Sequence, residues 1–277
     1  MAEKISCTDT GKNLTMLIAL LPLTVYSVMN SSLCSLVTIA VSVASCVVFE
    51  ALIQKLLKQK IQIKDLSAAS TGLILALILP AQIAVWQVVL GALVAVVVAK
   101  AFFGGNGNYV FSPALIGRAF LWVSFKSAFE SKWLFPHDGG KESVVALILM
   151  AVAFIYLVIN KVIDWKAPLM FVSLLFSIYT LSFAANVGTG FGAEVLKAYL
   201  GGGIVFAAVF LLSDETIIPN FWAGKVIYGT GAAILTYLIA IPGANADGAM
   251  FGILIMNAVA PYLNRSAAKP AQAGGAK

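Results

Sequence analysis

The sequence predicts an all-α, polytopic integral membrane protein of about ten helical spans. Three observations carry that prediction: 61% of the 277 residues are apolar and only 11% charged, the mean hydropathy is +0.96, and the charges fall in short stretches between apolar runs. A soluble domain places roughly a quarter of its residues as charges on a solvated shell, so lipid is the natural solvent for this chain.

Runs near the ~20 residues needed to cross ~30 Å of hydrocarbon lie at Leu14–Met29, Leu33–Ile53, Ala68–Leu79, Trp86–Phe103, Ser112–Phe125, Val144–Ile159, Ala167–Phe183, Val195–Leu212, Ala223–Ile241 and Asp247–Leu263. The first contains Pro22 and is followed at once by a second apolar run, so it reads as a retained span rather than a cleaved leader. The third and fifth are too short to cross as straight helices. Broken backbone at membrane depth survives only where it is buried in protein or lines a cavity.

Cytoplasmic loops retain Lys and Arg. With both termini cytoplasmic, thirteen of the eighteen cations fall inside: Lys4, Lys12, Lys55, Lys58, Lys60, Lys64, Lys100, Lys161, Lys166, Lys225, Arg265, Lys269 and Lys277. Arg118 sits near the inner end of the fifth span, and Lys126, Lys132, Lys141 and Lys197 fall outside. The net charge of +6 follows this topology. No basic stripe interleaved with aromatics occurs, so a nucleic-acid partner has no support. The expected location is the cell (inner) membrane, with 1–265 as one transmembrane domain and 266–277 as a small, polar, disordered cytoplasmic tail.

Function is sought where polar groups and glycines interrupt the apolar solvent. The stretch Lys100 to Arg118 opens the short fifth span. Gly104, Gly105 and Gly107 permit positive φ and close approach of a ligand to backbone N–H groups. Pro113 suits a first helical turn and Ser112 can cap it. Free donors at a helix N-terminus favour an anion or a ring carbonyl; the plainer reading is a tight turn between helices. Arg118 inside an apolar span wants a carboxylate, a phosphate or a cofactor oxygen. Ser213-Asp-Glu-Thr-Ile-Ile-Pro219 ends the eighth span with two carboxylates, either a polar site at the membrane boundary or solvated loop residues. The outer loop Lys126–Ser143 holds the only histidine, His137, beside Asp138, where solvation is the simpler reading. Cys7, Cys34 and Cys46 have no metal-ligand spacing, and no nucleophile elbow, P-loop, HExxH or CxxC motif occurs. Neither catalytic residues of a stand-alone hydrolase nor a metal site is expected.

Four blocks in order carry a resemblance over almost the whole chain: SAASTGLILALILP (Ser67–Pro80), FGGNGNYVFSPALIGRAFL (Phe103–Leu121), SDETIIP (Ser213–Pro219) with Gly224 and Lys225 following, and DGAMFGILIMNAVAPYLNR (Asp247–Arg265). The chain resembles the D subunit of the Rnf ferredoxin:NAD oxidoreductase and the related B subunit of the sodium-pumping NADH:quinone reductase. The resemblance implies ten helices in two inverted five-helix repeats, about 14–125 and 144–263, similar to urea and ammonium transporters. It implies a flavoprotein subunit passing electrons between partner subunits (A, B, C, E and G) while Na⁺ or H⁺ crosses the membrane. Gly104, Gly105, Asn108, Phe111, Ser112, Pro113 and Arg118 would then hold a non-covalent flavin, riboflavin or FMN. Asp214, Glu215 and Asp247 would be candidates for the ion path.

The family attaches FMN to the threonine of a D-x-x-(S/T)-G-A-T motif in the outer loop before the sixth span. Here the stretch reads Asp138-Gly-Gly-Lys-Glu-Ser-Val-Val, without the Gly-Ala pair and with Ser143 where the threonine would stand. Ser143 is either a covalent FMN site or the N-cap of the sixth span. A urea- or ammonium-type channel, and a scaffold subunit without flavin, are the competing readings of the whole chain.

Overall fold

The structure, a computed structural model, describes residues 2–31, 34–58, 62–105, 107–130, 141–185, 203–240 and 248–273. Ten helices occur among them: α1 (Ala2–Asn30), α2 (Cys34–Leu56), α3 (Ser67–Ile78), α4 (Val85–Leu93, continued as a π-helix over Val94–Ala101), α5 (Pro113–Ser124), α6 (Lys141–Ile159), α7 (Lys166–Ala185), α8 (Gly203–Phe206, continued as a π-helix over Ala207–Leu211), α9 (Trp222–Ala240) and α10 (Gly248–Ala273). Each falls on one of the ten apolar runs. The described residues contain no strand.

These helices are apolar on both faces, which separates them from the helices of a soluble bundle. Along α6, Ala146, Met150, Ala153 and Leu157 are buried, whereas Val145, Ile148, Val152, Ile155 and Ile159 are exposed. Along α1 the exposed stripe is Leu14, Ile18, Leu21, Val25 and Met29. Such stripes have no aqueous reading. By length and composition, Thr10–Asn30 of α1 and Ser35–Leu56 of α2 are each long and apolar enough to cross a membrane. As the sequence predicts, α3 and α5 have only 12 residues each, a rise of about 18 Å. The chain is therefore a helical membrane protein with two helices that stop partway.

α2 packs on α3 and α4, α4 on α5, and α3 on α1 and α5. α9 packs on α7 and α10, α8 on α7 and α10, while α1 meets α6 and α5 meets α10. Small residues bring the backbones together, as they do wherever lipid leaves packing as the main attraction. A Cβ on Gly72 of α3 would lie 2.8 Å from Val43 Cα of α2, and Ser42 Oγ donates to the Gly72 carbonyl at 2.7 Å. A Cβ on Gly117 of α5 would lie 2.6 Å from the Gly91 carbonyl of α4.

Two boundaries differ from expectation. α10 runs on to Ala273, into the stretch expected as a disordered tail from 266, where Ala267, Ala268, Ala271 and Ala273 favour the helix and Pro270 opposes it. α6 begins by Lys141, so Ser143 lies within its first turn rather than before it at an N-cap.

Candidate functional site

The loop between α4 and α5 is built from its backbone upward. Gly104, Gly105 and Gly107 adopt φ of 108°, 87° and 83°, the left-handed region that a side chain strains to enter. The N–H groups of Gly104 and Gly105 do not stand open as the sequence suggests. Gly104 N donates to Ala101 O at 3.2 Å, Gly105 N to Lys100 O at 3.0 Å, and Asn108 N to Gly105 O at 3.3 Å. Gly104 and Gly105 thus cap the wide last turn of α4. No atom lies within 4 Å of where a Cβ would stand on Gly105 or Gly107, so one side of the loop is open to approach.

α5 starts with Pro113 at its first turn, as predicted. Ser112 holds the N-cap position, but its hydroxyl makes no capping bond. With the Asn257 amide of α10 oriented so that its oxygen meets a donor and its nitrogen meets acceptors, it accepts from the Ser112 N–H at 3.1 Å and donates to the Ile253 carbonyl at 2.9 Å and to the Tyr228 hydroxyl of α9. Asn257 and Tyr228 are fully buried. Arg118, 2% exposed, places its guanidinium carbon 5.1 Å from the Phe129 ring centroid. Phe111 meets Phe103 edge to face at 6.0 Å, and exposed Asn108 turns its amide back toward the Gly104 carbonyl at 3.5 Å.

The second candidate segment joins this loop in space. Tyr109 Oη donates to Asp214 Oδ2 at 2.9 Å, and Thr216 Oγ1 donates to Tyr109 Oη at 3.3 Å. Thr216 N donates to Asp214 Oδ1, and Ile217 and Ile218 N donate to the Asp214 carbonyl, each at 3.0 Å. Burial pushes the Asp214 carboxyl above its ordinary 3.8, against the hydrogen bonds from Thr216 and Tyr109. Burial and the Asp214 charge push the Tyr109 hydroxyl well above 10.0, so it stays an O–H donor at neutral pH. Glu215, exposed, pairs with Lys12 of α1. Lys12, Asn13, Gly107, Tyr109, Val162, Asp214 and Glu215 line one cavity of about 130 Å³. One face of the bundle therefore gathers the start of α1 with the α4–α5, α6–α7 and α8–α9 connections. Lys225 of α9 pairs with Asp164 on this face, and Asn220 N donates to Asn264 Oδ1 of α10 at 3.0 Å.

A raised carboxyl has a definite linkage sign. The folded state binds more protons than the unfolded, so Asp214's contribution is fully present below pH 3.8 and is lost as pH rises through the folded value. Asp214→Asn is expected to flatten that fall, read as the thermal midpoint of the purified complex against pH; an unchanged profile would count against a raised carboxyl here.

One constellation has no counterpart among the predicted site residues. Lys100, expected in an inner loop, is 3% exposed inside the π-helical end of α4, and its Nζ donates to Glu50 Oε1 and Oε2 of α2 at 2.7 and 2.8 Å and to the Ser67 hydroxyl of α3. The wide turn carries Lys100 onto the buried face with Ala95, Val96 and Ala99. The available signal was Glu50 itself, the one acid within the second apolar run. Tyr109 stands in the α4–α5 loop and Tyr228 and Asn257 inside α9 and α10, and a lone tyrosine or asparagine in or beside an apolar run does not tell which partner it will meet. Asp247, His137 and Asp138 lie outside the described residues, as does the side chain of Ser143.

A family model described as the NQR2, RnfD, RnfE family matches residues 6–145 and 138–273. A Clostridium ljungdahlii protein, named as the D subunit of a proton-translocating ferredoxin:NAD(+) oxidoreductase complex, is 30% identical over 289 residues, covering 90% of this chain and 87% of that protein. An Acetobacterium woodii protein, named as the D subunit of a Na(+)-translocating ferredoxin:NAD(+) oxidoreductase complex, is 29% identical over 282 residues, covering 90% and 86%. A Methanosarcina acetivorans protein, named as the D subunit of an ion-translocating oxidoreductase complex, is 30% identical over 260 residues, covering 89% and 86%.

Proposed function

This chain belongs to the NQR2, RnfD, RnfE family, and from that premise we propose how it serves as the D-type membrane subunit of an Rnf-type ion-translocating oxidoreductase: it holds a flavin at the α4–α5 loop. It is one component of a multi-subunit Rnf complex and works with the other Rnf-type subunits.

The observation that carries the flavin reading is the meeting of that loop with the Ser213–Pro219 segment at Tyr109 and Asp214. The residues present fit a flat conjugated ring. Gly105 and Gly107 leave the backbone approachable, Phe103 and Phe111 supply an aromatic edge, and buried Arg118 supplies donors for a ring or ribityl oxygen. Because the Gly104 and Gly105 N–H groups cap α4 and Asn257 takes the Ser112 N–H, contacts to the ring from these positions would come from side chains and carbonyls. Gly104, Gly105, Asn108, Phe111, Ser112, Pro113 and Arg118 would surround it. Flavin supplies the electron-transfer chemistry that no side chain here provides. The chain's own part is to exclude water, orient the ring and keep Tyr109 protonated against Asp214. A purified complex without a flavin spectrum would defeat this reading.

Two finer readings belong to the proposal. The helices form two inverted repeats, supported by matched pairings: α2 with α3 and α4, and α4 with α5, against α7 with α8 and α9, and α9 with α10. Ser112-Pro-Ala-Leu-Ile-Gly117 and Asp247-Gly-Ala-Met-Phe-Gly252 also place a glycine at the same offset. A Cβ at Gly117 would strike the α4 backbone, and one at Gly252 would lie 2.8 Å from the Thr236 nitrogen of α9. The face that gathers Lys12, Lys225 and the Asp214 cluster is cytoplasmic, by the cation bias; Asp214 and Glu215 serve the ion path from it, with Asp247, outside the described residues, a further candidate.

Ser143 is the candidate for a phosphoester-linked FMN on the opposite side. In-gel ultraviolet fluorescence of the denatured complex is expected to follow this chain and to vanish in Ser143→Ala. A band that is dark from the start rules out the covalent link and leaves the non-covalent site standing.

A further inference from the structure

Among the described residues, the tertiary hydrogen bonds of the α4–α5 loop all reach into the second half of the chain. Tyr109 bonds Asp214 and Thr216 in the α8–α9 connection, and the Ser112 N–H bonds the Asn257 carboxamide of α10. The loop's other hydrogen bonds are local. Its placement is therefore set from across the bundle.

The second of these links has no ordinary structural reason. Asn257 and Tyr228 are fully buried, and an amide in an apolar interior is costly unless its oxygen and nitrogen both find partners. This one does: its oxygen accepts from Ser112 N at 3.1 Å, and its nitrogen donates to the Ile253 carbonyl at 2.9 Å and to the Tyr228 hydroxyl. Because the Ser112 hydroxyl makes no capping bond, the head of α5 is satisfied from another helix. Packing alone does not call for an amide here. Trp122 stands the same distance beyond Gly117 of α5 as Asn257 does beyond Gly252 of α10, and the Trp122 ring meets Phe251 of α10 edge to face at 5.2 Å. The same two helices thus meet through aromatic rings at one point and through an amide where α5 begins. In an apolar interior such a bond fixes one arrangement of two helices.

We propose that Asn257 is a positioning residue for the flavin site. From α10 it fixes the head of α5, and with it Ser112, Pro113 and Arg118, while the Tyr228 hydroxyl holds the Asn257 amide in the orientation that accepts from Ser112. A site built on rigid elements needs its supporting side chains locked in this way. The positioning role rests on the flavin reading of the loop; the clasp between α5 and α10 does not.

The test uses the whole purified complex carrying Asn257→Leu, close in shape and without hydrogen-bonding groups, or Tyr228→Phe, which removes one hydroxyl. Two quantities are read: amide hydrogen exchange of peptides from Phe103–Arg118, α2 and α3, and the dissociation constant of riboflavin and of FMN titrated back after the non-covalent flavin is washed out. In Asn257→Leu, exchange over Phe103–Arg118 is expected to rise about tenfold while α2 and α3 stay as in wild type, and the flavin dissociation constant to rise about tenfold, the weight of one buried hydrogen bond. Tyr228→Phe is expected to move both in the same direction by a smaller step. Wild-type exchange in this segment, or a rise shared equally along the chain as in plain destabilisation, overturns the clasp. A local rise in exchange with unchanged flavin binding overturns the positioning role. If Asn257→Leu does not assemble, Tyr228→Phe decides by the same criteria. A wild-type complex that takes up neither flavin defeats the flavin reading and the positioning role with it, while exchange still decides the clasp.

Discussion

Lys100→Met alone is expected to destabilise the protein by about 3–5 kcal/mol, the cost of leaving one partner of a buried ion pair uncompensated. Glu50 is 5% exposed and keeps no other cation within bonding distance among the described contacts; Gln54 Nε2, at 3.3 Å, is its remaining donor. The carboxylate would then either stay charged without a counterion or take up a proton, and both routes cost the folded state. Glu50→Gln strands the ammonium in the same way. The double variant Glu50→Gln/Lys100→Met is expected to recover most of the loss, since it leaves a neutral amide beside a thioether of similar length. Thermal unfolding of the detergent-solubilised complex, or its assembled fraction by size exclusion, reads all three. Equal destabilisation by the single and double variants would show that shape, and not charge, is what the site requires.

Arg118→Ala is expected to remove bound flavin while the complex still assembles. The guanidinium is 2% exposed, stacked near Phe129 on the helix that the glycine loop opens. A planar fork of donors matches a ring or ribityl oxygen in a way that a point charge does not. Arg118→Lys is therefore expected to keep assembly and recover only part of the flavin. Absorbance of the purified complex, set against its subunit stoichiometry, makes the measurement. Flavin content equal to wild type in Arg118→Ala would remove the arginine from the site, whatever its role in packing α5.

The membrane class was legible because it depends on composition and run length alone, and each of the ten helices falls on its apolar run. The shortness of α3 and α5, the positive φ of Gly104, Gly105 and Gly107, and Pro113 at a first helical turn were legible too, being properties of neighbours in the chain. Local pattern misjudged what the loop's donors do. A glycine-rich stretch before a helix reads as an open anion nest, yet the Gly104 and Gly105 N–H groups close the wide end of α4. The cation count placed Lys100 in a loop because it stands at the end of an apolar run. A single wide turn rotates it inward instead.

What the sequence by itself determined is the solvent, the helices and their order, for these follow from hydropathy and from residues within a few positions of each other. Only the tertiary structure decided the partners. Tyr109 meets Asp214 across 105 positions, Lys100 meets Glu50 across 50, and Ser112 gives its N–H to Asn257 of the last helix. The physical reason is that a polar group in an apolar interior must be satisfied by whatever packing brings near. Packing is set by small residues such as Gly72, Gly91 and Gly117, which let particular helices touch, and no local period encodes which helix that will be.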